Sequence, residues 1–295
     1  MIFREHEPLA PKTTMRIGGT ARYFAELTTK EDVEEAYAFG EKNNLPLIVL
    51  GSGSNTIFAD GEINALVVRI SAQQVQRANQ QTSKPANVII ESGKNLPMLV
   101  NALAKEGLDL SALTGIPGTI GGAIFGNAGQ GPKGIWIDHF VESVTIFDGQ
   151  WQTLTKQQCE FGYRESIFKH WPTSSSPIIW FVTVTIPHGD PAHIQAEIER
   201  LLQKRIETQP HQRTAGSCFK AIGGTPVWQL IDAAGLRGTK HGGVMISDKH
   251  ANFLISEKGA TFEDAVNVVN VVKERIPEKL EVEMRFVEPD ASLRF

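Results

Sequence analysis

Two cysteines in 295 residues, Cys159 and Cys218, are too few for a disulfide framework, and their spacing is not that of a metal cluster. No metal site is expected. No apolar run approaches the length of a membrane span, and the N-terminal MIFREHEPLAPK lacks the apolar core of a secretion signal. Positive charge is not in excess either. The 29 Lys and Arg against 33 Asp and Glu leave a net charge of −4, so there is no broad field for a phosphate polymer or an anionic membrane. An anionic substrate has to be held by a few local cations. These absences predict a cytoplasmic protein with no nucleic-acid, membrane or obligate protein partner. A hydrophobic fraction of 41% and a charged fraction of 21% are those of a globular chain with a substantial core.

Glycine, by contrast, is plentiful, and it is concentrated in two places. IPGTIGGAIFGNAG, Ile116–Gly129, has five glycines, one proline and no charge in fourteen residues. Glycine costs the most backbone entropy on folding, so such a run implies positive φ or close approach to another body. The second segment, Gly51-Ser52-Gly53-Ser54-Asn55-Thr56, directly follows an apolar run. It is not a dinucleotide fingerprint, because Thr56 replaces the third glycine and no acid lies near position 71. Nor does either segment continue into the Lys-Ser/Thr of a Walker A loop. Backbone amides in glycine-rich turns still form anion-binding concavities, with Ser52, Ser54, Thr56 and Thr119 as further donors. Alone, each segment reads equally as a tight turn; together they favour a ligand with two phosphates.

Periodicity predicts an α+β chain. Strands are expected at ARYFAEL (from Ala21), LPLIVLG (from Leu45), ALVVRI (from Ala65), NVIIESG (from Asn87) and IIWFVTVTI (from Ile178), with a hairpin in FVESVTIFDGQWQTLT around Asp148-Gly149. Helices are expected at Thr29–Asn43, capped by Thr29 and Asp32, and at Asn95–Glu106. After the linker-like PHGDPA come a helix at His193–Arg205 and a polar stretch, ETQPHQRTAGS. A helix at Thr225–Ala234, a strand ANFLIS and a helix TFEDAVNVVNVVKERI with a Thr261/Asp264 capping box follow. LEVEMRF alternates as one half-buried strand, with Leu280, Val282, Met284 and Phe286 on one face and Glu281, Glu283 and Arg285 on the other.

The segments LGSGSN, IPGTIGGAIFGNAG, FGYRES, AGSCFK and LEVEMRF, in this order between Thr14 and Phe286, resemble the UDP-N-acetylenolpyruvoylglucosamine reductase family. That family reduces UDP-N-acetylglucosamine enolpyruvate to UDP-N-acetylmuramate for peptidoglycan. The resemblance implies an FAD-binding fold of the vanillyl-alcohol-oxidase type, built of two α+β subdomains, plus a C-terminal α+β substrate-binding domain. The expected spans are 1–70, 71–195 (joined by 283–295) and 200–282. FAD would lie against Gly51, Ser52, Gly53, Ser54, Asn55 and Thr56, and against Gly115, Ile116, Pro117, Gly118, Thr119, Gly121, Gly122, Gly126 and Asn127. NADPH would supply the hydride.

Adding hydride to an enolpyruvyl ether drives negative charge toward the α-carbon and its carboxylate, so a cation and a proton donor are needed. Arg164, in FGYRES, offers a planar fork suited to a carboxylate. Taken by itself it reads as well as a surface arginine paired with Glu160 or Glu165. Ser217, in RTAGSCFK, reads alone as a turn or cap, and the resemblance makes it the proton donor, with Lys220 to relay and stabilise charge. Cys218 is the stronger acid, but one step along an extended chain points the other way. The family motif selects Glu283 as the acid near the enol, with Glu281 second. Tyr163 and, in KHAN, Asn252 would border the UDP-sugar. His241, His250 and Trp228 read as loop and packing residues. The chain departs from the family where Ala221-Ile222-Gly223-Gly224 follows Lys220 and where Gln130-Gly131-Pro132-Lys133-Gly134 follows NAG. It also lacks an insertion between Pro187 and Thr214, which places it with the shorter subgroup. Two rival readings are a flavin-dependent sugar or alcohol oxidase and a nucleotide-binding module without chemistry.

Overall fold

The computed structural model describes residues 1–77, 85–130, 134–171 and 176–295, so residues 131–133 of the departure after NAG lie outside it. The first half of the chain runs β1 (Arg4–Pro8), β2 (Thr20–Leu27), α1 (Lys30–Lys42), β3 (Leu47–Leu50), β4 (Thr56–Phe58), β5 (Glu62–Ile70), β6 (Val75–Arg77), β7 (Ala86–Glu91), α2 (Leu96–Ala104) and α3 (Ile120–Phe125). There follow β8 (Val141–Phe147), β9 (Trp151–Thr155), β10 (Ile178–Ile186), α4 (Pro191–Thr208), β11 (Arg213–Ser217), α5 (Val227–Ala233), β12 (Lys240–His241), β13 (Val244–Ile246), β14 (Phe253–Ser256), α6 (Phe262–Arg275) and β15 (Arg285–Val287).

Local chemistry sets the helix starts. Thr29 and Asp32 form a reciprocal capping box on α1, and Thr261 and Asp264 repeat it on α6. Asn95 accepts the Met98 amide at 3.0 Å to open α2. Asp190 accepts the His193 amide at 2.8 Å, so α4 begins at Pro191, a residue suited to a first turn, and earlier than periodicity places it. Among the described residues no helix is long and apolar enough to cross a membrane.

The chain divides into two compact units, Met1–Phe3 with Ala25–Gly51 and Leu66–Lys204, and Arg4–Phe24 with Ser52–Ala65 and Arg205–Phe295. In the first, an antiparallel sheet of order β6-β7-β10-β8-β9 is built around β10, whose side chains alternate between buried and half-buried from Trp180 to Ile186. Val88, Ile90, Val182 and Val184 from the sheet pack with Leu99, Leu103, Ile120 and Ile124 from α2 and α3 as one apolar core. The expected hairpin forms, with Phe147 opposite Trp151 across Asp148–Gln150. Parallel pairing of Leu47–Leu50 with Leu66–Arg69 carries β3 to Gly51, where the shorter glycine segment starts.

The second unit holds an antiparallel sheet of order β11-β14-β13-β12, with α6 packed on β12 and β13 through Ala265, Val268, Val269 and Val272. A short parallel pair sets β15 beside β4, Arg285 opposite Thr56. Three expectations are corrected. RTAGS, expected as polar loop, is strand β11. IGGAIF, expected as turn, is helix α3, because the Thr119 hydroxyl caps it by accepting the Gly122 amide at 3.2 Å. LEVEMRF is not one strand: Val282 bridges Phe219, and β15 then pairs with β4 instead. The alternation of Leu280, Met284 and Phe286 inward survives the change of partner.

Candidate active site

Both glycine-rich segments meet protein first. A Cβ on Gly51 would lie 2.8 Å from Thr119 Oγ1, so the end of β3 abuts the cap of α3. Gly121 sits against Ser92, where a Cβ would come within 2.9 Å of the serine Cβ, and its amide donates to the Ser92 carbonyl at 2.8 Å. Gly53, at φ +63°, turns where a Cβ would fall 2.2 Å from the Lys12 carbonyl. Close packing against protein thus accounts for Gly51, Gly53 and Gly121.

What remains for a ligand is narrower. The amides of Ile116, Ile120, Gly121, Ala123, Gly126, Asn127 and Ala128 donate to protein carbonyls, and that of Gly122 to Thr119 Oγ1. Among the described residues, the amides of Gly118 and Thr119, and those of Gly51, Ser52 and Gly53, have no protein acceptor. The hydroxyl of Thr114, a residue only 2% exposed, is buried without a partner immediately before the loop. Unmatched donors are uncommon in the folded interior, and within the first unit those of Gly51, Gly118 and Thr119, with the buried Thr114 hydroxyl, are the kind that suits phosphate oxygens. Thr114 escaped sequence reasoning because a threonine outside a glycine motif carries no signal. Thr56 lies buried in β4, and Asn55 donates its side-chain amide to the Glu283 carbonyl at 3.1 Å.

Asn127, expected at the cofactor, is wholly buried and spends both amide atoms on protein. Its Nδ2 donates to the Gly162 carbonyl at 2.8 Å, at the base of a turn that Gly162 and Glu165 close with reciprocal backbone bonds of 3.0 and 3.1 Å. Arg164 rides at the tip with φ +56°, a left-handed conformation that a side chain adopts only when its surroundings impose it. Its Nη2 donates to the Gly129 carbonyl at 2.9 Å, Lys169 donates to its carbonyl, and its guanidinium lies 6.0 Å from the Tyr163 ring. Tyr163 in turn packs on Trp136 at 5.7 Å. Arg164 is thus fixed by the chain and not a freely pivoting surface arginine.

In the second unit, Ser217 ends β11 opposite Phe253, past an irregularity in the ladder after Thr214. Residues 218–220 run antiparallel to 281–283: the Glu283 amide donates to the Cys218 carbonyl at 2.7 Å, Phe219 bridges Val282, and the Lys220 amide donates to the Glu281 carbonyl at 2.9 Å. Ser217 and Glu283 are therefore brought to one sheet edge. Cys218 is buried, and burial followed by the negative charge of Glu283 pushes its thiol up, which removes it as an acid. Glu281 is two-thirds exposed and ion-pairs the nearly buried Lys220, so Lys220 already has an anionic partner. Arg285, expected on a solvated face, is a buried guanidinium that desolvation lowers to about 10.

Asn252, expected at the substrate, clamps the backbone of Phe219. It is 6% exposed, its Oδ1 accepts the Phe219 amide at 3.0 Å, and its Nδ2 donates to the Phe219 carbonyl at 2.8 Å. His250 packs between Trp228 and Phe253, as a packing residue should. Among the described residues no group of three His, Cys, Asp or Glu is placed to hold a metal ion.

Two family models match the chain: an FAD binding domain over residues 21–154, and the C-terminal domain of UDP-N-acetylenolpyruvoylglucosamine reductase over residues 209–289. The chain is 34% identical over 285 residues to the UDP-N-acetylenolpyruvoylglucosamine reductase of Carboxydothermus hydrogenoformans, covering 95% of this chain and 91% of that one. It is 32% identical to the enzyme of the same name from Aquifex aeolicus, covering 99% and 97%. The crystal structure of the reductase from Thermus caldophilus superposes with a TM-score of 0.81 at 30% identity, over 97% of this chain and 99% of that one.

Proposed function

The chain belongs to the UDP-N-acetylenolpyruvoylglucosamine reductase family, and from that premise we propose that it reduces UDP-N-acetylglucosamine enolpyruvate to UDP-N-acetylmuramate, an FAD-dependent step of peptidoglycan precursor synthesis driven by NADPH. The observation that carries the cofactor assignment is, among the described residues of the first unit, the set of donors without protein acceptors, the amides of Gly51, Gly118 and Thr119 with the buried Thr114 hydroxyl. This set fits a pyrophosphate, and those residues would hold it. FAD, when bound, supplies hydride chemistry between NADPH and the β-carbon of the enolpyruvyl ether.

The protein's own groups supply charge and a proton. Arg164, held at its turn tip, meets the pyruvyl carboxylate with a bidentate fork whose bonds strengthen as charge builds there. Ser217 delivers the proton to the α-carbon, which completes saturation of the double bond. Glu283, whose main chain is tied to Cys218 and Asn55, orients that proton and shares it as the enol collapses. Tyr163 and Lys220 border the nucleotide sugar, Lys220 keeping Glu281 as its counter-ion. The division into 1–70, 71–195 with 283–295, and 200–282 belongs to the same proposal, as does a cytoplasmic setting, where NADPH is available. The test is a mass spectrum of the product: NADPH-dependent conversion to a compound heavier by one molecule of hydrogen supports the assignment. Peroxide with no saturated product would support an oxidase instead.

A further inference from the structure

Three hydrogen bonds join the C-terminal end of α3 to the turn that carries Arg164. Asn127 Nδ2 donates to the Gly162 carbonyl at 2.8 Å, Ser166 Oγ donates to the Phe125 carbonyl at 2.7 Å, and Arg164 Nη2 donates to the Gly129 carbonyl at 2.9 Å. All three fall on residues 125–129, the segment that leaves the glycine-rich loop. The turn's own bonds, between Gly162 and Glu165, close it without anchoring it. From the loop side, the Asn127 side chain reaches across to it.

From this geometry we infer that Asn127 is a positioning residue for Arg164, aiming the guanidinium by holding the base of its turn to the end of α3. The inference rests on the reading of Arg164 as the cation for the pyruvyl carboxylate. The residue type is specified on three counts. Its backbone is left-handed at φ +41°, which asparagine tolerates better than most residues. Its Oδ1 accepts the Asp138 amide at 3.2 Å, which forces the NH₂ toward Gly162. It is 0% exposed, so water cannot substitute for either bond. Aspartate would present an oxygen to the Gly162 carbonyl, and serine is too short to reach it. Because helix α3 alone separates Asn127 from Gly118 and Thr119, assigned to the flavin pyrophosphate, the cofactor cradle and the aim of Arg164 share one short piece of chain.

The test compares holoenzyme of the wild type, N127D, S166A and R164K by two readouts. One is binding of enolpyruvyl-UDP-N-acetylglucosamine relative to UDP-N-acetylglucosamine, which lacks the carboxylate. The other is the rate at which the NADPH-reduced flavin is reoxidised by the enolpyruvyl substrate. N127D should lose the preference for the enolpyruvyl compound and slow reoxidation about 10- to 100-fold, the loss expected when a catalytic group is misplaced by about 1 Å. UDP-N-acetylglucosamine binding and reduction by NADPH should stay at wild-type levels. Acidification should restore part of the loss, because a buried carboxyl regains a proton it can donate. An unchanged preference and reoxidation rate in N127D, or a uniform fall in all four quantities, overturns the inference. S166A should move the same two readouts in the same direction, and decides the matter if N127D does not fold. If R164K leaves the preference intact, the reading of Arg164 fails and this inference with it; if R164K abolishes it while N127D does not, only the inference fails.

Discussion

Replacing Asn252 by alanine should loosen the strand that presents Ser217. The side chain satisfies both backbone groups of Phe219, a residue 2% exposed, through bonds of 3.0 and 2.8 Å, and is itself 6% exposed. Orphaning a buried backbone group costs about 1–3 kcal/mol, so losing both bonds should cost about 2–5 kcal/mol of local stability. If Phe219 exchanges through local opening, that loss speeds its amide exchange by about 30- to several-thousand-fold. Hydrogen exchange read by mass spectrometry over residues 215–222 measures it directly. N252D keeps an acceptor for the Phe219 amide but turns a carboxyl oxygen on its buried carbonyl, so it should speed exchange as well. Reoxidation of reduced flavin by substrate should slow in N252A while reduction by NADPH holds. Exchange over residues 215–222 indistinguishable from wild type would refute the clamp and return Asn252 to the substrate contacts.

Three further outcomes are expected. S217A should slow reoxidation by about 10²- to 10⁴-fold, the range for loss of a positioned proton donor, whereas C218A should leave it near wild type, since that thiol is buried and held protonated; equal losses would remove serine as the donor. Burial, reinforced by the charge of Arg237, holds His250 below its ordinary 6.5, and its Nδ1 accepts the Asn252 amide at 3.3 Å. The folded state thus binds this proton less readily than the unfolded chain, so the stability is present above pH 6.5 and is lost as pH falls through the lowered value; urea unfolding should show that loss in the wild type and a smaller one in H250Q. T261A should cost about 1 kcal/mol by removing the cap of α6, visible as a lower urea midpoint, and no change would mean that packing alone sets that helix start.

Much of the fold was legible because it depends on local chemistry. The Thr29/Asp32 and Thr261/Asp264 boxes, the Asp148-Gly149 hairpin and the apolar runs of β3, β5, β7 and β10 need only neighbours in sequence. Strand β11 was illegible because Arg213–Ser217 is polar and contains a glycine; its place comes from pairing with Phe253–Ser256, which no window of the chain reveals. Helix α3 hides for the opposite reason, its two glycines counting against a helix that the Thr119 cap and the fit against Ser92 impose. In LEVEMRF the alternation states which side chains turn inward but not which strand lies alongside. At the site, Asn127 and Asn252 are expected as ligands from the resemblance of GNAG and KHAN to family segments. Only the fold shows their amides closing on backbone groups 35 and 33 residues away.

The central claim is that this chain passes reducing equivalents from NADPH through bound FAD to an enolpyruvyl nucleotide sugar. The most direct test is the visible absorbance of the purified holoenzyme under anaerobic conditions. The flavin band should bleach on addition of NADPH and return when enolpyruvyl-UDP-N-acetylglucosamine is added. A band that NADPH leaves untouched, or one that oxygen restores and this substrate does not, would contradict the account.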